Sequence, residues 1–167
     1  MTSVMQARIE ADLRIVALEV QELTPEAFAP YGEVSSPTSG FSLDFSGQKA
    51  SFCHVRIDAR PLKLLFFARH LHTTQAYVPL ASGESILVVA PPSDLTDPEA
   101  IPDLARAAAF RLRGDRAVNL HRGTWHRTPI PLGASCDFLV LDREGTLDDL
   151  DLVDLGRNLA TVVEIVL

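Results

Sequence analysis

Cysteine is nearly absent: Cys53 and Cys136 are the only two in 167 residues, too far apart for a CxxC pair. That excludes a disulfide framework and a thiolate zinc knuckle, and leaves two structural thiols as the expectation. His54 follows Cys53, but neighbours on a strand point to opposite faces, so the two do not form a nucleophile with its base. Lysine is scarcer still relative to arginine, at two of fifteen basic residues, and the net charge is −7. A chain so balanced is unsuited to a nucleic-acid backbone or an acidic membrane surface. No apolar run approaches a membrane span. Arg8, Glu10, Asp12 and Arg14 interrupt the first twenty residues, so no secretory signal is read there and a cytoplasmic protein is expected. GxGxxG, P-loop, GxSxG and HExxH motifs are all missing, which leaves nucleotide chemistry without support.

What remains is one domain's worth of chain, residues 1–167, with 47% hydrophobic and 22% charged residues. At this size a fold buries roughly two-thirds of the unfolded surface and needs no staples. Residues 13–20 alternate as a strand does, and Thr24-Pro25-Glu26 reads as an N-cap with proline in the first turn of a short helix through Phe28. Residues 35–46, rich in Ser, Pro and Gly, read as a loop. Short apolar runs then follow one another at 51–57, 62–70, 75–80, 85–90, 108–113, 117–121 and 137–142. That spacing predicts an all-β barrel or sandwich. Residues 91–102 form the one long connection, with a helical turn expected within 98–109. The tail, 161–167, reads as a last strand apolar enough to pair across an interface.

Charge is unevenly placed. Arg106, Arg111, Arg113, Arg116, Arg122 and Arg127 stand against Asp115 alone, whereas 142–154 is acidic. A site for a small anionic metabolite is compatible with that. Histidine is placed more tellingly, since four of the five fall in two clusters, His70 with His72 and His121 with His126. If 64–72 is a strand, Ala68, His70 and His72 share one face, Arg69 takes the other, and Gln75 follows shortly. Imidazoles one residue apart can converge on zinc, nickel, manganese or iron; the plainer alternative is two histidines ending an exposed strand. In Asn119-Leu120-His121-Arg122-Gly123-Thr124-Trp125-His126, a glycine turn can bring one histidine over a barrel mouth, with Trp125 walling the pocket from water. A solvated hairpin is the alternative there.

The second cluster resembles the second cupin motif, in which a proline, any residue, a glycine and two residues precede a metal-binding histidine; His121 stands at the proline place. Ala68, His70 and Gln75 match the spacing of the first motif. Within the cupins the chain is similar to the ureidoglycolate lyase family in three stretches: 23–34 (LTPEAFAPYGEV), Arg69-His70 with Gln75-Ala76-Tyr77-Val78-Pro79, and 118–126 followed by 137–143 (DFLVLDR). The resemblance implies a double-stranded β-helix (jelly-roll) barrel with one or two short helices. It implies a homodimeric enzyme of allantoin breakdown that splits ureidoglycolate into glyoxylate and urea. It also implies a divalent metal, nickel by resemblance with manganese or zinc as alternatives, held by His70, Gln75 and His126.

Two departures matter. Family members carry Glu-Arg-His-Pro where this chain has Ala68-Arg69-His70-Leu71, and a second histidine where it has Arg127. Alanine cannot bind metal, so the site is expected to be neutral and one ligand short, with His72 as a substitute or with no metal at all. For the reaction, Arg69 or Arg122 is expected to grip the carboxylate, with Asn119 and Trp125 lining the pocket, and His126 or His121 to act as base and acid. A different cupin enzyme acting on a small hydroxy acid or amide, and a non-catalytic carboxylate-binding cupin, are the alternatives.

Overall fold

The computed structural model describes residues 13–167; Arg8, Glu10 and Asp12, on which the reading of the N-terminal stretch rests, lie outside the described residues. Strand β1 covers Arg14–Glu22, helix α1 Pro25–Phe28, β2 Gly32–Val34, β3 Ala50–Asp58, β4 Lys63–Leu64, β5 Phe66–His70, β6 Gln75–Pro79 and β7 Ser85–Ala90. A 3-10 turn at Leu104–Arg106 precedes β8 Ala108–Leu112, β9 Val118–Leu120, β10 Trp125–His126, β11 Ile130–Pro131 and β12 Ser135–Arg143. A second 3-10 turn, Thr146–Asp149, leads into β13 Leu150–Asp154, helix α2 Leu155–Leu159 and β14 Thr161–Val166.

These strands form two sheets. The larger has nine strands in the order β13-β5-β10-β7-β8-β1-β14-β4, with β11 also on β7; the smaller runs β2-β9-β6-β12-β3. The class is the expected one, all-β dominated and cupin-like with two short helices. The sheets curl toward each other, but no ladder joins them among the described residues, so the barrel is not closed by hydrogen bonds. Between the facing sheets lies a first core built around Phe28, Tyr77, Leu87, Val89, Phe110, Leu120 and Phe138. A second core, with Phe67, Ile86, Val88, Trp125, Leu155 and Val163, lies on the other face of the larger sheet. Strand β7 belongs to both. Its side chains alternate between the cores, so all six of its residues are buried, which is why it reads as an unbroken apolar run.

Local chemistry explains the ends of several elements. The Thr24 hydroxyl accepts from Ala27 N at 3.2 Å, capping α1 with proline at its start. That helix plugs the first core with Phe28, whose ring meets Phe110 edge-on at 5.1 Å. The expected run 62–70 is broken at Leu65, and β5 stops at His70, so His72 lies beyond the strand. The helical turn expected within 98–109 is only the 3-10 turn ahead of β8. The acidic stretch conceals β13 and α2; Asp154 caps α2 by accepting from Arg157 N at 3.0 Å. The tail strand β14 is flanked by β1 on one side and by β4 on the other along Val163 and Glu164. The tail is thus a last strand, as expected, with one edge fully paired to β1 and the other paired to β4 over two residues.

One connection matters for the site. Residues 144–149 carry the chain from β12 in the smaller sheet to β13 in the larger one, bridging the two where they face each other. No helix of the described residues is long and apolar enough to cross a membrane.

Candidate active site

Pairing between β5 and β10 sets the site. Ala68 stands directly opposite His126 in an antiparallel register, so Ala68, His70 and His126 share the face toward the smaller sheet. The rings of His70 and His126 lie 5.5 Å apart at 39°. Gln75, at the start of β6, completes the cluster from the opposite sheet, its Oε1 standing 2.9 Å from His126 Nε2. His70, Gln75 and His126 are all buried. The turn that delivers His126 depends on Gly123, which has φ +77° and whose added Cβ would sit 2.2 Å from Leu95 Cδ2. Its N–H donates to His70 O at 2.8 Å, tying the turn to β5.

Hydrogen bonding fixes the proton on His126. Nδ1 lies 2.8 Å from the carbonyl oxygen of Thr124, to which it donates. Burial first, and the nearby imidazole of His70 second, hold this imidazole down at about 3, so the ring is neutral and Nε2 carries a lone pair. Gln75 is oriented by donating from Nε2 to Asp142 Oδ2 at 3.3 Å, which turns its Oε1 toward His126. Two lone-pair donors therefore face each other at 2.9 Å and would hold one divalent ion between them. His70 Nδ1 is 3.2 Å from Thr146 Oγ1, on the connection between the sheets. The ring of Tyr77 lies 6.4 Å from that of His126. Burial, followed by the charge of Asp142, pushes its phenol well above the ordinary value, so it stays protonated.

Other expected site residues lie elsewhere. Arg69 is fully buried on the opposite face of β5, paired with Asp151 Oδ2 at 2.8 Å. It also donates to Ser93 Oγ and to the carbonyls of Asp94 and Asp97 at 2.9–3.1 Å, and its guanidinium lies 4.6 Å over the Trp125 ring. Trp125 faces the second core rather than the pocket, its Nε1 donating to Ser93 Oγ at 2.9 Å. Asn119 lies on the face of β9 opposite Val118 and Leu120, donating to Glu33 Oε2 at 3.2 Å and Ser42 O at 3.1 Å. His121 is exposed, with Nε2 3.3 Å from Ala29 O; Arg122 is exposed and donates to Leu71 O at 3.3 Å. His72 is exposed, its carbonyl accepting from Ser46 Oγ.

Asp142, Tyr77 and Thr146 were not anticipated. Asp142 was legible in principle: it is in phase with Phe138 and Val140 on the buried face of β12, where an ionisable group needs a partner.

Among the described residues no group of three His, Cys, Asp or Glu side chains could hold a divalent ion. His70, Gln75 and His126 fit only as a neutral set of two imidazoles and one amide oxygen, oriented by Asp142 and Thr124.

Two facing sheets around a buried histidine pair give a cupin-like fold. The family model described as ureidoglycolate lyase matches residues 43–162. The ureidoglycolate lyase of Brucella abortus biovar 1 (strain 9-941) is 33% identical over 159 residues, covering 83% of this chain and 90% of the relative. That of Pseudomonas putida (strain W619) is 32% identical over 154 residues, covering 80% and 89%. The chain belongs to the ureidoglycolate lyase family. Among solved structures, the formate complex of Lactobacillus farciminis oxalate decarboxylase is similar over 82% of this chain with a TM-score of 0.43 and 13% identity. This chain spans 33% of that one.

Proposed function

We propose that the chain is a carbon–nitrogen lyase that converts ureidoglycolate to glyoxylate and urea at the cluster of His70, Gln75 and His126. Family membership supports the reaction. The observation that carries the location is the meeting of His126 Nε2 and Gln75 Oε1 at 2.9 Å, buried between the two sheets.

The chemistry asks for little. The hydroxyl proton leaves its oxygen, the C–O bond becomes a carbonyl, the C–N bond breaks, and the departing ureido nitrogen takes up a proton. A carboxylate that first accepts and then returns that proton balances the reaction. Asp142, hydrogen-bonded to Gln75, is the group assigned to this task. Tyr77, still protonated beside His126, donates to a substrate oxygen. His70, Gln75 and His126 would hold the divalent ion, nickel by family resemblance with manganese or zinc as alternatives, and its chemistry when bound is to polarise the hydroxyl or ureido oxygen. His126 suits that role because it is neutral and held by Thr124 in the tautomer that exposes Nε2.

The same reading takes the chain as cytoplasmic and homodimeric, both by family resemblance, with light scattering as the check on the dimer. The central test is a coupled assay for glyoxylate and urea on purified protein whose metal content is measured in parallel. Stoichiometric metal without release of these products would point to another cupin enzyme acting on a small hydroxy acid or amide. Neither metal nor products, with carboxylate binding retained, would point to a binding module, a reading favoured by the neutral donor set beside Ala68.

A further inference from the structure

A cavity of about 430 Å³ opens beside the site, lined by Arg60, Pro61, Lys63, Leu65, Phe66 and Arg127 among others. His70, Gln75 and His126 are not among the lining residues; Phe66 and Arg127 link the cavity to the site. Phe66 lies in phase with Ala68 and His70 on β5, and 37% of it is exposed. Arg127 directly follows His126, and Ala68 stands opposite His126, so the cavity opens at the end of the strand pair that carries the histidines.

Its charge is one-sided. Lys63 is paired with Glu164 at 2.9 Å. Arg60 donates to the carbonyls of Thr128 and Pro129 and to Thr128 Oγ1, all uncharged acceptors. Arg127 is exposed, and among the described residues no carboxylate is bonded to its guanidinium. Burial, and then repulsion from Arg127, lower the proton affinity of Arg60, as two cations sharing one cavity require. The fields of both arginines reach Tyr77, and that of Arg127 reaches His126 as well. A cavity with two guanidiniums that no carboxylate neutralises and otherwise largely apolar walls accepts a small anion by its charged end.

We infer that Arg127 and Arg60 form the carboxylate-binding subsite of this enzyme, holding a small α-substituted monocarboxylate by its acid group so that the α-carbon faces His126. The inference rests on the proposed function only in placing the reaction at His126. The apolar walls of the cavity leave room beside the carboxylate for a substituent.

The test is calorimetric titration of the full-length protein with glyoxylate and with its uncharged amide, on the parent, Arg127→Gln, Arg127→Lys and Arg60→Gln. The parent binds glyoxylate and discriminates against the amide. Each Gln variant binds glyoxylate about ten- to a hundredfold more weakly, the range expected for losing a charge-assisted bond, and Arg127→Lys falls between. In turnover with ureidoglycolate the same variants raise KM more than they lower kcat, as loss of a uniform anchor does. Arg127 is exposed and Arg60 half-buried, and thermal melts report whether each variant folds. No binding of glyoxylate to the parent, equal binding of the amide, or unchanged affinity in folded Arg127→Gln overturns the subsite. If Arg127-dependent binding is present but no glyoxylate or urea is released from ureidoglycolate, the lyase reading falls and the subsite stands. Turnover with affinity and KM both insensitive to Arg127 gives the reverse.

Discussion

The two faces of β5 and β10 make opposite use of buried polar groups. On the face toward the second core, Arg69 is fully enclosed, yet its guanidinium meets a carboxylate, a hydroxyl, two carbonyls and an aromatic face. It has nothing left to offer a ligand. On the face toward the first core, His126 and Gln75 direct lone pairs at the same point, and the partners they have, Thr124 and Asp142, only orient them. A buried polar group that is saturated is structural, whereas one that is oriented but unsaturated is poised for chemistry.

That contrast can be broken from either side. His126→Ala has the largest expected effect, a loss of turnover of about a hundredfold or more, with circular dichroism and melting behaviour close to the parent; turnover at parental rates in a folded variant would remove the residue from the mechanism. Arg69→Ala does the opposite. It strands Asp151 and unstacks Trp125, lowering stability by about 3 kcal/mol, toward the lower end of the range for a broken buried pair because Asp151 is partly exposed. Urea titration reads that loss, and under folding conditions KM stays near the parental value. A midpoint indistinguishable from the parent would mean that the network on this face carries no weight.

A gain is also expected. Ala68→Glu places a carboxylate directly opposite His126, supplying the anionic ligand the cluster lacks and raising affinity for manganese about tenfold or more. Equilibrium dialysis decides it, and unchanged metal binding in a folded variant would show that position 68 does not address the cluster. The smallest effect belongs to the exposed pair of Arg56 and Asp137, joined by two hydrogen bonds of 2.8 Å. Its hydrogen bonds to Arg56, and then the attraction of the same guanidinium, hold Asp137 below the usual carboxylate range. Its contribution is therefore complete above the unfolded-state value and is lost as pH falls through the depressed folded-state one. Because the pair is solvent-exposed, Arg56→Ala is expected to flatten the acid limb of the stability curve only slightly, and a large shift there would contradict the surface assignment.

Much of the strand pattern was readable because it follows from side-chain periodicity: the run at 85–90 has the bounds of β7, and the Thr24 cap starts a helix where expected. The convergence of His70, Gln75 and His126 was also legible, through the resemblance to the two cupin motifs. Facing was harder. Alternation places Arg69 opposite His70 and Trp125 opposite His126, but it does not reveal that the larger sheet has a core on each side. Where one face is wet, burial marks the inside. Here both faces are buried, so Arg69 and Trp125 looked as available to a pocket as the histidines; Asn119, on the smaller sheet, is instead buried against Glu33 and the loop at Ser42. The end of β5 at His70 was hidden for another reason: residues 71–74 contain neither proline nor glycine to announce a stop.

The short bridge between β12 and β13 has Asp142 just before it, Thr146 within it and Asp151 just after it, so it runs past the carboxylate proposed as proton acceptor, the partner of His70 and the counterion of Arg69 in turn. Such a segment behaves as a cassette. Transplanting residues 142–151 between relatives is expected to carry reactivity and thermal tolerance together, so that changes in one trait drag the other along.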